Sequence, residues 1–205
     1  MALSKIQAES MNLADTFAFT GTVTGIDGGL VPITRASSDT DTGYITFQNI
    51  STDYDTFIFY IAAIHPVTDN VQLRLQFYDS NGDPINGSSD YGGETLTHTA
   101  GQGGANSQSH VKLTSTNIGN TNYEGVTGQV TLVNRNYTAG DTDSPPPQTI
   151  GHLSYLDGSN NQNGISFAGG LDNSAQQAIS GLRFFMSSGQ TDYYDISMYG
   201  VKRPS

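Results

Sequence analysis

The sequence predicts an all-β protein: a single antiparallel β-sandwich of jelly-roll type, with about ten strands and an N-terminal arm. Three observations point there. Short apolar runs recur along the 205 residues, bounded by segments rich in Gly, Ser, Thr, Asn and Asp. Glycine is abundant, at 24 residues, and no long stretch carries helical periodicity. The length suits one domain able to bury a core without disulfides, and the chain has no cysteine to form one.

Residues 1–16 read as the arm and residues 17–205 as the sandwich domain. Ser4 and Gln7 have the spacing of a capping box, and Leu3, Ile6 and Leu13 can share one helical face. A helix this short is marginal in water, so the arm is expected to need a neighbour. Leu3, Ile6 and Leu13, with Phe17 and Phe19 just beyond, are the candidate interface residues.

The β pattern begins at residues 17–24, and residues 25–29 turn the chain. A polar stretch at 36–42 precedes a strand at 44–50. Residues 55–64 are apolar on both faces, which predicts a central strand covered on two sides. By contrast Val71, Leu73, Leu75 and Phe77 alternate with Gln72, Arg74, Gln76 and Tyr78, the pattern of a strand with one face inward. Residues 79–93 and the glycine-rich 100–108 read as loops. Strands are expected at 94–99, 109–114, 126–133, 149–155 and 164–168. Residues 138–148 contain Pro145, Pro146 and Pro147, which lack an amide hydrogen, and read as an exposed loop. Residues 179–186 and a closing strand ending Tyr199-Gly200-Val201 flank Ser187-Ser188-Gly189. With 55–64 and 71–78 they read as paired strands of an antiparallel sandwich.

The net charge of −11 argues against a nucleic-acid partner, which needs clustered Lys and Arg. The eight basic residues are scattered along the chain, and Lys202-Arg203 is the sole adjacent pair. The same charge favours solubility of identical copies before assembly. No run approaches the ~20 apolar residues of a membrane span, so no membrane partner is expected. Residues 1–10 lack the apolar stretch of a secretory signal, which points to synthesis in a cytoplasm.

Little speaks for catalysis. His65, His98, His110 and His152 lie in different segments without zinc-site spacing, and read as surface or packing residues. Asp79, Asn81, Asp83 and Asp90 have the oxygen spacing of a calcium loop. However, Pro84 stands where that motif needs Gly, Asp90 where it needs Glu, and the flanks are strands. A hairpin turning at Asn81-Gly82 is the better reading. Asp39, Asp41, Asp53 and Asp55 form a second acidic patch that reads as solvated turns. No Gly-x-Ser-x-Gly elbow occurs, and Glu9, Glu94 and Glu124 are the only glutamates. No enzyme activity and no cofactor are expected.

Ser4-Lys5-Ile6-Gln7-Ala8-Glu9-Ser10, then Leu13 through Phe17 and Phe19 through Val23, resemble the start of small proteins encoded by marine tailed bacteriophages. Tyr54, Phe57, Pro66, Thr68-Asp69 and Leu73-Arg74-Leu75 are similar to a β-sandwich module of that group. So are the run from Gly181 to Phe185, Ser187-Ser188-Gly189 and Tyr199-Gly200-Val201. The resemblance implies a virion structural protein, of capsid decoration (cement) or tail-fibre type. A decoration protein would be made in the host cytoplasm and would sit on the virion exterior as a homotrimer. There it would dock on the major capsid protein lattice. Burial of the arm and of the apolar edge at 44–50 would offset the entropy lost on docking. The alternative is a tail-fibre or receptor-binding protein recognising a host surface saccharide. In that case residues 92–104 and 138–148 would bring Tyr91, Tyr137 and acids into a shared groove.

Overall fold

The computed structural model describes residues 29–97, 101–121, 123–134, 145–172 and 175–201. The candidate arm and its interface set, Leu3, Ile6, Leu13, Phe17 and Phe19, lie outside the described residues, as do His98 and Tyr137.

Among the described residues the chain is all β, with twelve strands and no helix. In chain order they are β1 (Leu30–Ser38), β2 (Ile45–Gln48), β3 (Thr56–Pro66), β4 (Leu73–Asp79), β5 (Tyr91–Thr97) and β6 (Gly101–Gln108). There follow β7 (Val111–Lys112), β8 (Val126–Val133), β9 (Gln148–Leu156), β10 (Gln162–Leu171), β11 (Ile179–Met186) and β12 (Thr191–Val201). Two antiparallel sheets result. The larger has the order β1-β12-β3-β8-β9-β10-β5-β6, and the smaller β2-β11-β4-β7.

Side-chain alternation decides which face of each strand meets the core. On β4, Leu73, Leu75 and Phe77 are fully buried, as their spacing predicts. Phe59 of the larger sheet meets Phe47 and Phe184 of the smaller, at ring-centroid distances of 5.1 and 5.8 Å, edge to face. Tyr91 ties the sheets together at a second place. Its hydroxyl donates to the Ile85 carbonyl at 2.9 Å and accepts from the Phe77 amide at 2.7 Å. Burial raises the Tyr91 phenol above its ordinary pKa, against the lowering effect of the Phe77 amide.

Several expectations need correction. Strand β3 is central, between β12 and β8, but among the described residues only one of its faces is covered. Phe57, Phe59, Ile61 and Ile64 are buried, whereas Tyr60 is 43% exposed and rests edge-on against Tyr199 at 5.6 Å. Among the described residues, support for that outer face comes sideways from a neighbouring strand, as Tyr199 supports Tyr60. The four runs at 55–64, 71–78, 179–186 and the closing strand do pair antiparallel with one another, as their pattern predicts. β3 pairs with β12 and β4 with β11, so each run of two strands is split between the sheets.

Two strands were not foreseen. The glycine-rich 100–108 segment is largely strand β6, on an edge beside β5. An edge strand satisfies its ladder through backbone groups, which glycine supplies as well as any residue. The other is β1, an edge strand with a register shift between Pro32 and Thr34. Proline is tolerated at such edges and bulges. Conversely, only Val111–Lys112 of the expected 109–114 strand forms a ladder.

Candidate docking face on the smaller sheet

The outward-facing residues of β2, β11, β4 and β7 follow directly from the register. Arg183 lies opposite Thr46 on one side and Gln76 on the other. Phe185 lies opposite Arg74, and Arg74 opposite Lys112. Arg74, Lys112 and Arg183, three of the chain's eight Lys and Arg residues, therefore share one sheet face.

This face is built around a fixed guanidinium. Arg183 donates from Nε and Nη2 to the Gln76 side-chain oxygen, at 2.9 and 2.6 Å. Gln76 is buried and donates in turn to the Ser109 carbonyl at 2.6 Å, which sets its amide orientation. The guanidinium carbon stands 4.1 Å from the Tyr44 ring centroid, 5.6 Å from Phe185 and 5.7 Å from Tyr78. Such stacking on ring faces holds an arginine rigid. Tyr44 itself is 51% exposed and packs against Phe185 at 5.9 Å. It flanks β2, which is an edge of the smaller sheet, in accord with the apolar edge expected at 44–50.

Arg74 is in a different state. Its Nε is buried and makes no hydrogen bond, and burial lowers its pKa. Among the described residues the ion pairs are Arg35 with Asp195 and His65 with Asp192, and none reaches Arg74, Lys112 or Arg183. A partly buried guanidinium whose Nε is enclosed without a hydrogen bond is costly, because buried donors are normally satisfied. Chemically, the face offers what a carboxylate-bearing surface needs: fixed cations, planar donors and flanking aromatic rings.

His110 borders the same face, with its ring 6.2 Å from Phe185. Burial, together with the charges of Arg74 and Lys112, pushes its pKa down to about 4. As pH falls from the unfolded value near ~6.5, the unfolded chain takes the proton first. Stability is therefore full above that value and falls as pH drops towards the folded pKa. The imidazole is half-buried, so after discounting for screening the loss amounts to about 1–2 kcal/mol. Asp79, Asp157 and Asp195 have lowered pKa values, so their own contributions are lost only at still lower pH. Urea midpoints at pH 7 and pH 4.5 should differ more for the native chain than for His110→Gln.

The calcium-loop candidates occupy two separate turns. Asp79 Oδ1 accepts from the amides of Asn81 and Asp83, at 2.8 and 2.9 Å, and Gly82 takes a φ of +85°. The Asp83 amide foremost holds the Asp79 carboxyl below the usual carboxylate range. Asp90 instead accepts from the Gly87 amide. Asp157 repeats the Asp79 arrangement between β9 and β10, accepting from the amides of Ser159 and Asn161. Among the described residues, no three His, Asp or Glu side chains are grouped as a metal site.

Of the groove expected between residues 92–104 and 138–148, residues 138–144 and Tyr137 lie outside the described residues. A cavity of about 700 Å³ is lined by Gly92, Glu94, Gly104, Gln148, Ile150 and Ala168 among others. Tyr91 does not reach it, because its ring is fully buried and its hydroxyl is used inside the core.

Comparison with known proteins finds no matching family model, no matching curated protein and no matching solved structure.

Proposed function

We propose that the protein is a jelly-roll structural component of a tailed-bacteriophage virion, a non-catalytic capsid decoration or cement protein. In this reading it is made in the host cytoplasm and sits on the capsid exterior as a homotrimer. It docks on the major capsid protein lattice through the cationic face of the smaller sheet.

Strand order supports the jelly roll. Without β5, β6, β9 and β10, the sheets read β1-β12-β3-β8 and β2-β11-β4-β7. Consecutive strands then alternate between sheets at every step but one, β4 to β7, which pair with each other in the smaller sheet. This is the interleaving expected of two Greek keys wrapped into one sandwich. The β5–β6 and β9–β10 hairpins become insertions that widen the larger sheet.

The observation that carries the docking reading is the set Arg74, Lys112 and Arg183, without an acidic partner among the described residues, in a chain of net charge −11. An acidic surface on a coat subunit would supply those partners, Arg74 with its unsatisfied Nε among them. The charge elsewhere on the chain would steer the approach so that this face arrives first.

Quantitative mass spectrometry of purified particles tests this. A copy number comparable to that of the major capsid protein is expected. A number far below it would favour the tail-fibre alternative, and absence from the particle would overturn both virion readings.

A further inference from the structure

A second surface, at the end of the larger sheet, carries a different chemistry. β3 and β12 both change register there: β3 against β8 between Ile61 and Ile64, and β12 against β3 between Thr191 and Tyr193. Bulges re-aim side chains and open strands locally. Asp192 and Tyr193 would face opposite sides of a regular strand, yet both line one cavity of about 470 Å³, together with His65, Tyr123 and Thr127. That volume lies in the range of small-ligand sites.

The loop forming one wall is tied down. His65 bonds Asp192 through Nδ1 at 2.7 Å and the Thr121 carbonyl through Nε2 at 3.0 Å. Asn120 donates to the Val67 carbonyl at 2.9 Å, and the buried Glu124 accepts from the Thr121 amide at 2.6 Å. Despite this anchoring the loop presents Tyr123 at 70% exposure, facing a cavity that Tyr193, 45% exposed, also lines. Neither ring stacks on another aromatic ring among the described residues. A pinned loop holding an uncovered tyrosine is pre-organised for a ligand, since ordering costs are already met.

We infer that this cavity binds a neutral pyranose unit of a polysaccharide. The C–H face of a sugar ring packs on tyrosine, whose ring is apolar and whose hydroxyl remains available for bonding. Asp192 uses Oδ1 for His65, and its side chain is 43% exposed, so its second oxygen accepts from a sugar hydroxyl. Asp192 and Glu124 together disfavour uronic or sulfated sugars by like-charge repulsion. The inference does not depend on where in a particle the protein sits, and its failure would leave the docking reading intact.

The test is ligand-observed NMR on the full chain, with a panel of neutral gluco-, galacto- and manno-configured oligosaccharides and N-acetylglucosamine oligomers. A matched uronic-acid panel serves as the contrast. At least one neutral sugar should bind, with affinity lowered about tenfold or more in Tyr123→Ala and in Asp192→Asn, the loss of roughly one packed ring or one charge-assisted bond. The melting temperature of Tyr123→Ala should match the parent, because that side chain is exposed. Asp192→Asn keeps an acceptor oxygen for His65 but gives up the ion-pair charge, and is read by affinity alone. The inference is overturned by no neutral binding, by uronic acids binding equally well, or by affinity unchanged in both variants. Conversion of an oligomer to monomer by Tyr123→Ala would also overturn it, assigning the tyrosines to contacts between copies.

Discussion

Phe59→Ala is expected to destabilise the fold by about 3–5 kcal/mol, the range for removing a fully buried phenylalanine from a core that cannot collapse around the gap. Phe59 has no exposed surface and is the ring of the larger sheet that contacts both Phe47 and Phe184. Each of those lies on a ladder strand of the smaller sheet, so the cavity has walls held by backbone hydrogen bonds on both sides. Relaxation would need one sheet to slide over the other, which the Tyr91 bridge between β5, β4 and the Ile85 segment resists. Denaturant unfolding should show a lowered midpoint with an unchanged slope. A loss below about 1.5 kcal/mol would mean that the two layers do not meet at this ring, contrary to the packing described.

The same alternation that buries Phe59 explains how much of the fold could be read without coordinates. β4 was legible because Leu73, Leu75 and Phe77 alternate with polar residues and are fully buried, although Gln76 and Tyr78 on its other face are buried too. β8 and β11 were legible for similar reasons, and all three lie within a few residues of their expected places. β1 was not, because an edge strand that buries little shows no alternation: its residues are mostly exposed along the whole length. β6 was hidden by glycine, whose backbone pairs without leaving an apolar signal. β3 misled in the opposite direction. Its apolar outer face suggested a second covering layer, whereas Tyr60 finds support from Tyr199 on the adjacent strand.

The candidate sites were less legible still, for a physical reason. Arg74, Lys112 and Arg183 are separated by 38 and 71 positions in the chain and look scattered in sequence. Antiparallel register alone brings them to one face, and register depends on strand pairings that spacing does not reveal. The signal that was available is weaker: each occupies an outward position in a strand otherwise rich in apolar inward residues. Tyr123 and Tyr193 came together in the same hidden way, through bulges in β3 and β12 that no residue pattern announces.

Arg74→Met should make the isolated protein more stable and its docking weaker, a pairing of effects that a purely structural residue would not give. Methionine approximates the length of the arginine stem and packs beside Phe185, while removing a guanidinium whose buried Nε has no partner. An unsatisfied buried donor costs about 1–3 kcal/mol, so the unfolding free energy of the free chain should rise, by about 1 kcal/mol after loss of the stem's own contacts. Docking should suffer in the reverse sense, because an acidic partner would have paired with that guanidinium. Losing one side of a desolvated charge pair weakens association by about 2 kcal/mol or more, roughly 30-fold. Lys112→Glu, at the position opposite Arg74, should mainly slow association and flatten its remaining dependence on added salt. Co-sedimentation of the purified variants with particles lacking the native protein, across a salt series, reads both effects. Stabilisation without weakened docking would leave Arg74 an uncompensated defect of the fold and move the docking surface elsewhere. Destabilisation would show instead that Arg74 has a partner within the chain, which removes the main support for a cationic docking face.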